Sequence, residues 1–180
     1  HNRSDEYVKY LREKQEGESG EKLWLTVPKE IIDSVINKEI SDKTLPEIFL
    51  KVDKLKGDKQ VDLIIGGPPC QAYSLVGRAR DPENMKKDPR NFLYKYYLQF
   101  LKRYEPKMFV FENVPGILSA QNGIHLENIK KGIDKAGYEI ELRKLKASDY
   151  GVLQNRERVI IVGWKKDLNL KYPELKKEEN

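Results

Sequence analysis

An α/β layer structure with a mainly parallel sheet is the fold class this sequence predicts, and three observations predict it. Two short apolar runs, Val61–Ile65 and Lys107–Phe111, each end abruptly in turn-forming or polar residues. That is how strands buried on both faces of a sheet read. Between them Leu93, Tyr97, Phe100, Leu101 and Tyr104 recur at helical spacing over residues 91–104, supplying the crossover that two parallel strands require. Beyond the second run the pattern continues as helix, strand, strand, and alternation of this kind builds layers around one sheet.

Taken in order, Asp5–Lys14 reads as a short polar helix with Tyr7, Val8 and Leu11 on one side. Gln15–Lys22, holding Gly17 and Gly20 among charges, reads as a flexible loop. Ile31, Ile32, Val35 and Ile36 form a short apolar stripe, and Leu45, Ile48, Phe49 and Val52 a second one whose first turn accommodates Pro46. The strand at 61–65 runs into Gly66-Gly67-Pro68-Pro69-Cys70, where the glycines free the backbone to turn and the prolines stiffen the approach to the cysteine. A charged loop, Leu75–Arg90, leads to the helix at 91–104. After the strand at 107–111, Leu126, Ile129 and Ile133 mark a helix closed by Gly137. Tyr138–Lys146 alternates as a strand does, and Arg158–Trp164 is the last apolar strand. No helix separates those two, so they suit an antiparallel pair. Lys165–Asn180 reads as a polar tail or linker.

With 180 residues, 38% of them hydrophobic, the chain can build one core. A single cysteine excludes an internal disulfide and any multi-cysteine zinc site, and no metal site is expected. No apolar run has the length of a membrane span and no signal peptide opens the chain, so no membrane partner is expected, and the cysteine usage suits a reducing compartment, cytoplasmic or nuclear. The net charge of +5 fits a polyanionic partner only weakly, because charged residues make up 35% of the chain and most simply face water. The start at His1 rather than Met reads as a fragment boundary.

Three positions carry chemistry. Cys70 stands on a rigid, backbone-specified turn; free cysteines are mostly packing residues, yet a core position needs no such turn, which favours a nucleophile. Glu112 closes an apolar strand, as either a solvated cap or a partly buried acid with a raised pKa. Arg156 and Arg158, two apart in an extended segment, point to one side and suit phosphate or a base carbonyl, although the same residues would also serve as a surface charge cluster. Cys70 and Glu112 lie at the C-terminal ends of neighbouring strands, where α/β sheets place ligands, so they should share one crevice. His1 and His125 have no partner at ligand spacing, and no histidine is available as base for a cysteine hydrolase.

In combination and in this order, Gly66-Gly67-Pro68-Pro69-Cys70-Gln71-Ala72-Tyr73-Ser74, Glu112-Asn113-Val114 and Gln154-x-Arg156-x-Arg158 resemble the nucleophile, acidic and arginine motifs of the cytosine-5 DNA methyltransferases. The resemblance covers residues 39–164. It implies a Rossmann-like S-adenosylmethionine-dependent methyltransferase sheet with flanking helices, present in incomplete form: a poorly defined segment at 1–38, a partial catalytic domain at 39–164, and the tail at 165–180. It implies double-stranded DNA as partner and S-adenosylmethionine as methyl donor. Cys70 would add to C6 of a flipped-out cytosine, Glu112 would hold or protonate N3, Arg158 would contact the base oxygen and Arg156 a phosphate. Gln71 and Ser74 would touch the DNA, and Asn113 would brace the Pro69–Cys70 turn. Pro69 and Leu93 occupy positions like the family's donor-lining sites. Glu39 and Ile40 resemble the turn that binds the donor's adenine, with Glu39 where aspartate is usual and Asp42 as a substitute. The family's opening strand with its glycine-rich loop, and its target-recognition region, have no counterpart, so they are expected on missing segments of the same enzyme or on a second subunit. Two alternatives stay open: an RNA cytosine-5 methyltransferase, and a non-catalytic, methyltransferase-like module that binds nucleic acid.

Overall fold

The computed structural model describes Asp5, residues 27–69 and residues 93–178. The chain divides into two compact units, His1–Gly57 and Asp58–Asn180. Cys70, Gln71 and Ser74, the charged loop at 75–90 and most of the polar helix read at Asp5–Lys14 lie outside the described residues.

The first unit contains helix α1 (Lys29–Asp33) and helix α2 (Leu45–Lys56). The stripe at 31–36 yields only five helical residues, none of them buried. The stripe at 45–52 forms α2 as expected, burying Leu45 and Ile48, with Pro46 in the first turn where its missing N–H costs nothing. Ser41 and Thr44 exchange amide-to-hydroxyl hydrogen bonds of 3.0 and 3.3 Å just ahead of α2, occupying donors that the helix start leaves open. Lys38 pairs with Glu47 across this turn.

The second unit is a four-stranded sheet: β1 (Leu63–Gly66), β2 (Met108–Asn113), β3 (Tyr138–Lys146) and β4 (Glu157–Lys165), in the order β1-β2-β4-β3. Helix α3 (Tyr94–Tyr104) joins β1 to β2, and helix α4 (Ile124–Lys135) precedes β3. β1 pairs with β2 in parallel, Ile64 opposite Phe109. β4 runs antiparallel to both neighbours, Phe109 facing Gly163 and Leu142 facing Ile161. The expected β3/β4 pair is therefore present. The mainly parallel sheet needs a correction: three strands share one direction, but β4 is inserted between β2 and β3, so two of the three ladders are antiparallel. A ten-residue connection without an α-helix can return the chain only beside the strand it left, and that fixes the direction of β4.

Alternation along the strands sorts the core. Phe109, Phe111, Val159 and Ile161, with Ile64, meet Tyr94, Tyr97 and Leu101 of α3 and Leu126, Ile129 and Ile133 of α4 on one face. The rings of Tyr97 and Tyr138 pack edge-on to Phe109 at 5.9 and 5.4 Å. The buried Tyr138 hydroxyl donates to the Pro106 carbonyl at 2.8 Å, and burial pushes its pKa up to about 12. Gly137 holds φ at +87° between α4 and β3, a left-handed turn that glycine alone adopts freely.

The reading of the first strand as buried on both faces is corrected here. Leu63 and Ile65 are 47% and 70% exposed: among the described residues β1 stands at the edge of the sheet, and α3 and α4 pack on the opposite face. Where β2 and β4 present that second face, Val162 and Trp164 are covered by Tyr172. Tyr172 comes from the segment that reads as a free polar tail. Its ring lies 4.2 Å beneath the Arg143 guanidinium. Further on, Glu178 N–H donates to the Asp149 carbonyl at 3.0 Å and Lys177 Nζ meets Asp149 Oδ2 at 2.7 Å.

That tether has a pH window. The Lys177 ammonium holds the Asp149 carboxyl below its ordinary range, and Asp149 raises the Lys177 ammonium above its own. A lowered carboxylate stabilises above its unfolded pKa and is lost as pH falls through the folded value; a raised lysine is lost as pH climbs past its folded value. Hydrogen-exchange protection of the Glu178 amide is expected to hold between about pH 5 and 9 and to fall below about pH 4, and in Asp149→Asn to be roughly threefold weaker within that window and no different on the acid limb. Protection that stays flat through the acid limb would exclude the ion pair as the tether.

Candidate active site

Two parallel neighbours deliver their C-terminal ends to one sheet edge, β1 through Gly66-Gly67-Pro68-Pro69 and β2 through Glu112-Asn113. Because β4 is antiparallel to β2, its N-terminal end reaches the same edge, with Ile160 opposite Glu112 and Val159 opposite Asn113. A parallel β4 would have sent Arg158 to the far side of the sheet. Residues 108, 110 and 112 of β2 and residues 158, 160, 162 and 164 of β4 share the face away from α3 and α4. Glu112 and Arg158 therefore meet there.

The meeting is close. Arg158 Nε lies 2.5 Å from Glu112 Oε1, and the terminal guanidinium nitrogen of Arg156 lies 4.0 Å from the same oxygen. The two arginines do point to one side, as their spacing implies. Glu112 is 38% exposed at its side chain, and among the described residues both guanidinium groups approach its Oε1. Arg158 also donates from Nη1 to the Glu157 carbonyl at 2.7 Å, which fixes the fork's orientation.

Asn113 is 2% exposed. Its Nδ2 donates to the Pro68 carbonyl at 3.4 Å, while its Oδ1 accepts from Val114 N–H at 3.0 Å. It thus braces the loop that leads to Cys70, one residue earlier than expected. The two glycines do a different job from the one read in the sequence. Neither sits in the left-handed region. A Cβ on Gly66 would come within 2.7 Å of the Tyr97 ring, and one on Gly67 within 2.8 Å of Glu112 Oε2. Both are glycine because something else occupies the space of a side chain.

Of the positions expected to line the donor site, Pro69 is exposed and Leu93 is half-buried just ahead of α3. In the first unit Glu39 and Ile40 are exposed, and the Glu39 carbonyl accepts from Thr44 Oγ1 at 2.5 Å. An exposed carboxylate beside an exposed isoleucine offers an acceptor for amine or hydroxyl groups and an apolar contact for a purine face. By kind, these residues fit the adenosine part of S-adenosylmethionine.

Tyr97 is the residue that sequence reading missed. Its hydroxyl donates to the carbonyls of Val110 (3.0 Å) and Ile64 (3.3 Å), on the two strands that carry the site. The available signal was a tyrosine, rather than leucine or phenylalanine, on the inward face of the crossover helix.

The model of the C-5 cytosine-specific DNA methylase family matches residues 29–180. The type II methyltransferase M.Bpa9945I of Bacillus paralicheniformis is 46% identical over 127 residues, spanning 66% of this chain and 28% of that protein. The type II methyltransferase M.FnuDI of Fusobacterium nucleatum is 42% identical over 141 residues, spanning 72% of this chain and 40% of that one. Among solved structures, a protein described as a DNA modification methyltransferase encoded within an E. coli prophage superposes with a TM-score of 0.56 at 30% identity, covering 77% of this chain and 35% of its own. The chain thus spans between 28% and 40% of the length of these proteins. Its sheet and helices are part of a Rossmann-like methyltransferase fold, with Glu112 and Arg158 at one edge. On the family model, the relatives and this arrangement together, the chain belongs to the C-5 cytosine-specific DNA methylase family.

Proposed function

We propose that this chain is the central catalytic portion of an enzyme that transfers a methyl group to C5 of cytosine in double-stranded DNA. The observation that carries the reading is the Glu112 carboxylate held by Arg158 at the strand edge where β1 delivers the loop leading to Cys70. Cytosine C5 and C6 are unreachable while stacked, so the base leaves the duplex before reaction. The Cys70 thiolate forms a bond to C6, and the displaced electron pair makes C5 nucleophilic. Glu112 holds the N3 edge and, in its protonated form, transfers its carboxyl proton to N3, so that negative charge does not accumulate on the ring. Arg158 neutralises charge at the base oxygen and Arg156 holds a neighbouring phosphate. Gln71 and Ser74 contact the DNA around the vacated position. Pro69 and Leu93 would hold S-adenosylmethionine, which supplies an electrophilic methyl group when bound. Once C5 is methylated, loss of its proton and release of the Cys70 sulfur restore the aromatic ring.

Incubating the whole protein with 5-fluorocytosine DNA and S-adenosylmethionine tests this. Fluorine at C5 cannot leave as a proton does, so an adduct at Cys70 that resists denaturation is the expected result. No adduct on DNA would overturn the proposal, and an adduct on RNA alone would transfer the chemistry to the other substrate.

A further inference from the structure

A buried tyrosine hydroxyl ordinarily finds one carbonyl, as Tyr138 does at Pro106. Tyr97 does more. It is 8% exposed on α3, and its ring packs edge-on to Phe109 and Phe111 at 5.9 and 5.1 Å. Its hydroxyl lies between the Ile64 and Val110 carbonyls, at 3.3 and 3.0 Å. Ile64 stands two residues before Gly66, and Val110 two residues before Glu112. The hydroxyl therefore spans the parallel pair at matching distances from the two parts of the site. The first strand is shaped to admit it, since the space a Cβ would take on Gly66 is filled by the Tyr97 ring. Burial raises the phenol well above its ordinary value, so it remains a protonated donor across the working pH range.

We propose that Tyr97 is a positioning residue for methyl transfer, its hydroxyl tying β1 to β2 so that the loop leading to Cys70 and the Glu112 carboxylate are held at a fixed separation. This rests on the methyl-transfer reading above and goes beyond it, because that reading gives no role to Tyr97, whose hydroxyl meets the carbonyls of the two strands. Packing alone would be served by phenylalanine. Among the described residues, the hydroxyl buried here offsets the cost of desolvation through the two strand carbonyls. Reaction between a thiolate and a ring held by a carboxylate is sensitive to sub-ångström placement, so loosening the tie should slow adduct formation without weakening binding.

The test uses the whole protein with 5-fluorocytosine DNA under single-turnover conditions. Tyr97→Phe is expected to form the Cys70 adduct about tenfold more slowly, with Kd for DNA and for S-adenosylmethionine within about twofold of wild type. A companion protein with 3-fluorotyrosine at position 97 keeps ring and hydroxyl and makes a stronger donor, and it should react at least as fast as wild type. That result supports the tie even if Tyr97→Phe fails to fold. A Tyr97→Phe rate equal to wild type, a loss in which binding and rate fall together, or a fluorotyrosine protein that is slow would each overturn the proposal. A wild-type protein that traps no adduct would instead remove the methyl-transfer reading, and the proposal with it.

Discussion

Gly163→Ala is expected to be the most damaging single-methyl substitution to the fold. Gly163 lies opposite Phe109 in the β2/β4 ladder, and a Cβ there would stand 2.2 Å from two carbons of the Phe109 ring. That ring cannot step aside, because Tyr97 and Tyr138 pack edge-on against it and Phe109 is fully buried. Forcing a methyl group into a filled core costs about 3 kcal/mol when neighbours have no free rotamer. For a unit of this size that corresponds to a fall in Tm of roughly 10 °C. Differential scanning calorimetry of the variant measures it. Phe109→Leu should partly rescue Gly163→Ala, since the smaller side chain vacates the clash, and the pair should be less destabilised than the sum of the singles. A Tm within about 2 °C of wild type for Gly163→Ala would mean that the central strands separate more easily than this packing implies.

The elements legible in the sequence are those written in periodicity and turn chemistry. Helix α4 was readable because Leu126, Ile129 and Ile133 repeat on one face and Gly137 closes it, and all three leucine and isoleucine side chains are in fact buried. The meeting of Glu112 with Arg158 was half readable: the strand ends were clear, and the missing helix between β3 and β4 implied the reversal that brings Arg158 home. The exposure of β1 was not readable, because Val61–Ile65 is almost wholly apolar and says nothing of which faces its neighbours cover. Tyr172 was missed for the opposite reason. A lone aromatic among Lys, Glu and Asn leaves no period to detect, and only the Arg143 guanidinium and the Val162–Trp164 surface give it a place. The glycines show the limit most clearly, since sequence can announce that a side chain is absent but not which neighbour requires the space.

Gly66 and Gly67 require that space for different neighbours, and this separates fold from activity. Gly67→Ala is expected to slow methyl transfer by the whole protein about 10²-fold while leaving its stability nearly unchanged. The new methyl group would lie 2.8 Å from Glu112 Oε2, with the Glu112 carbonyl oxygen at 3.5 Å and its Cβ at 3.8 Å. Only the first of these is too close, and it is the far end of a flexible, half-exposed side chain. The carboxylate can therefore swing away at small cost to folding, but doing so breaks its 2.5 Å contact with Arg158 Nε and removes the acid from the edge where we propose that the base binds. Gly66→Ala provides the contrast: its Cβ meets a ring fixed by Phe109 and Phe111, so it should lower Tm as well as rate. Single-turnover methylation alongside thermal melts distinguishes the two glycines. If Gly67→Ala instead melted early and kept its rate per folded molecule, Glu112 would not be the acid that this glycine makes room for.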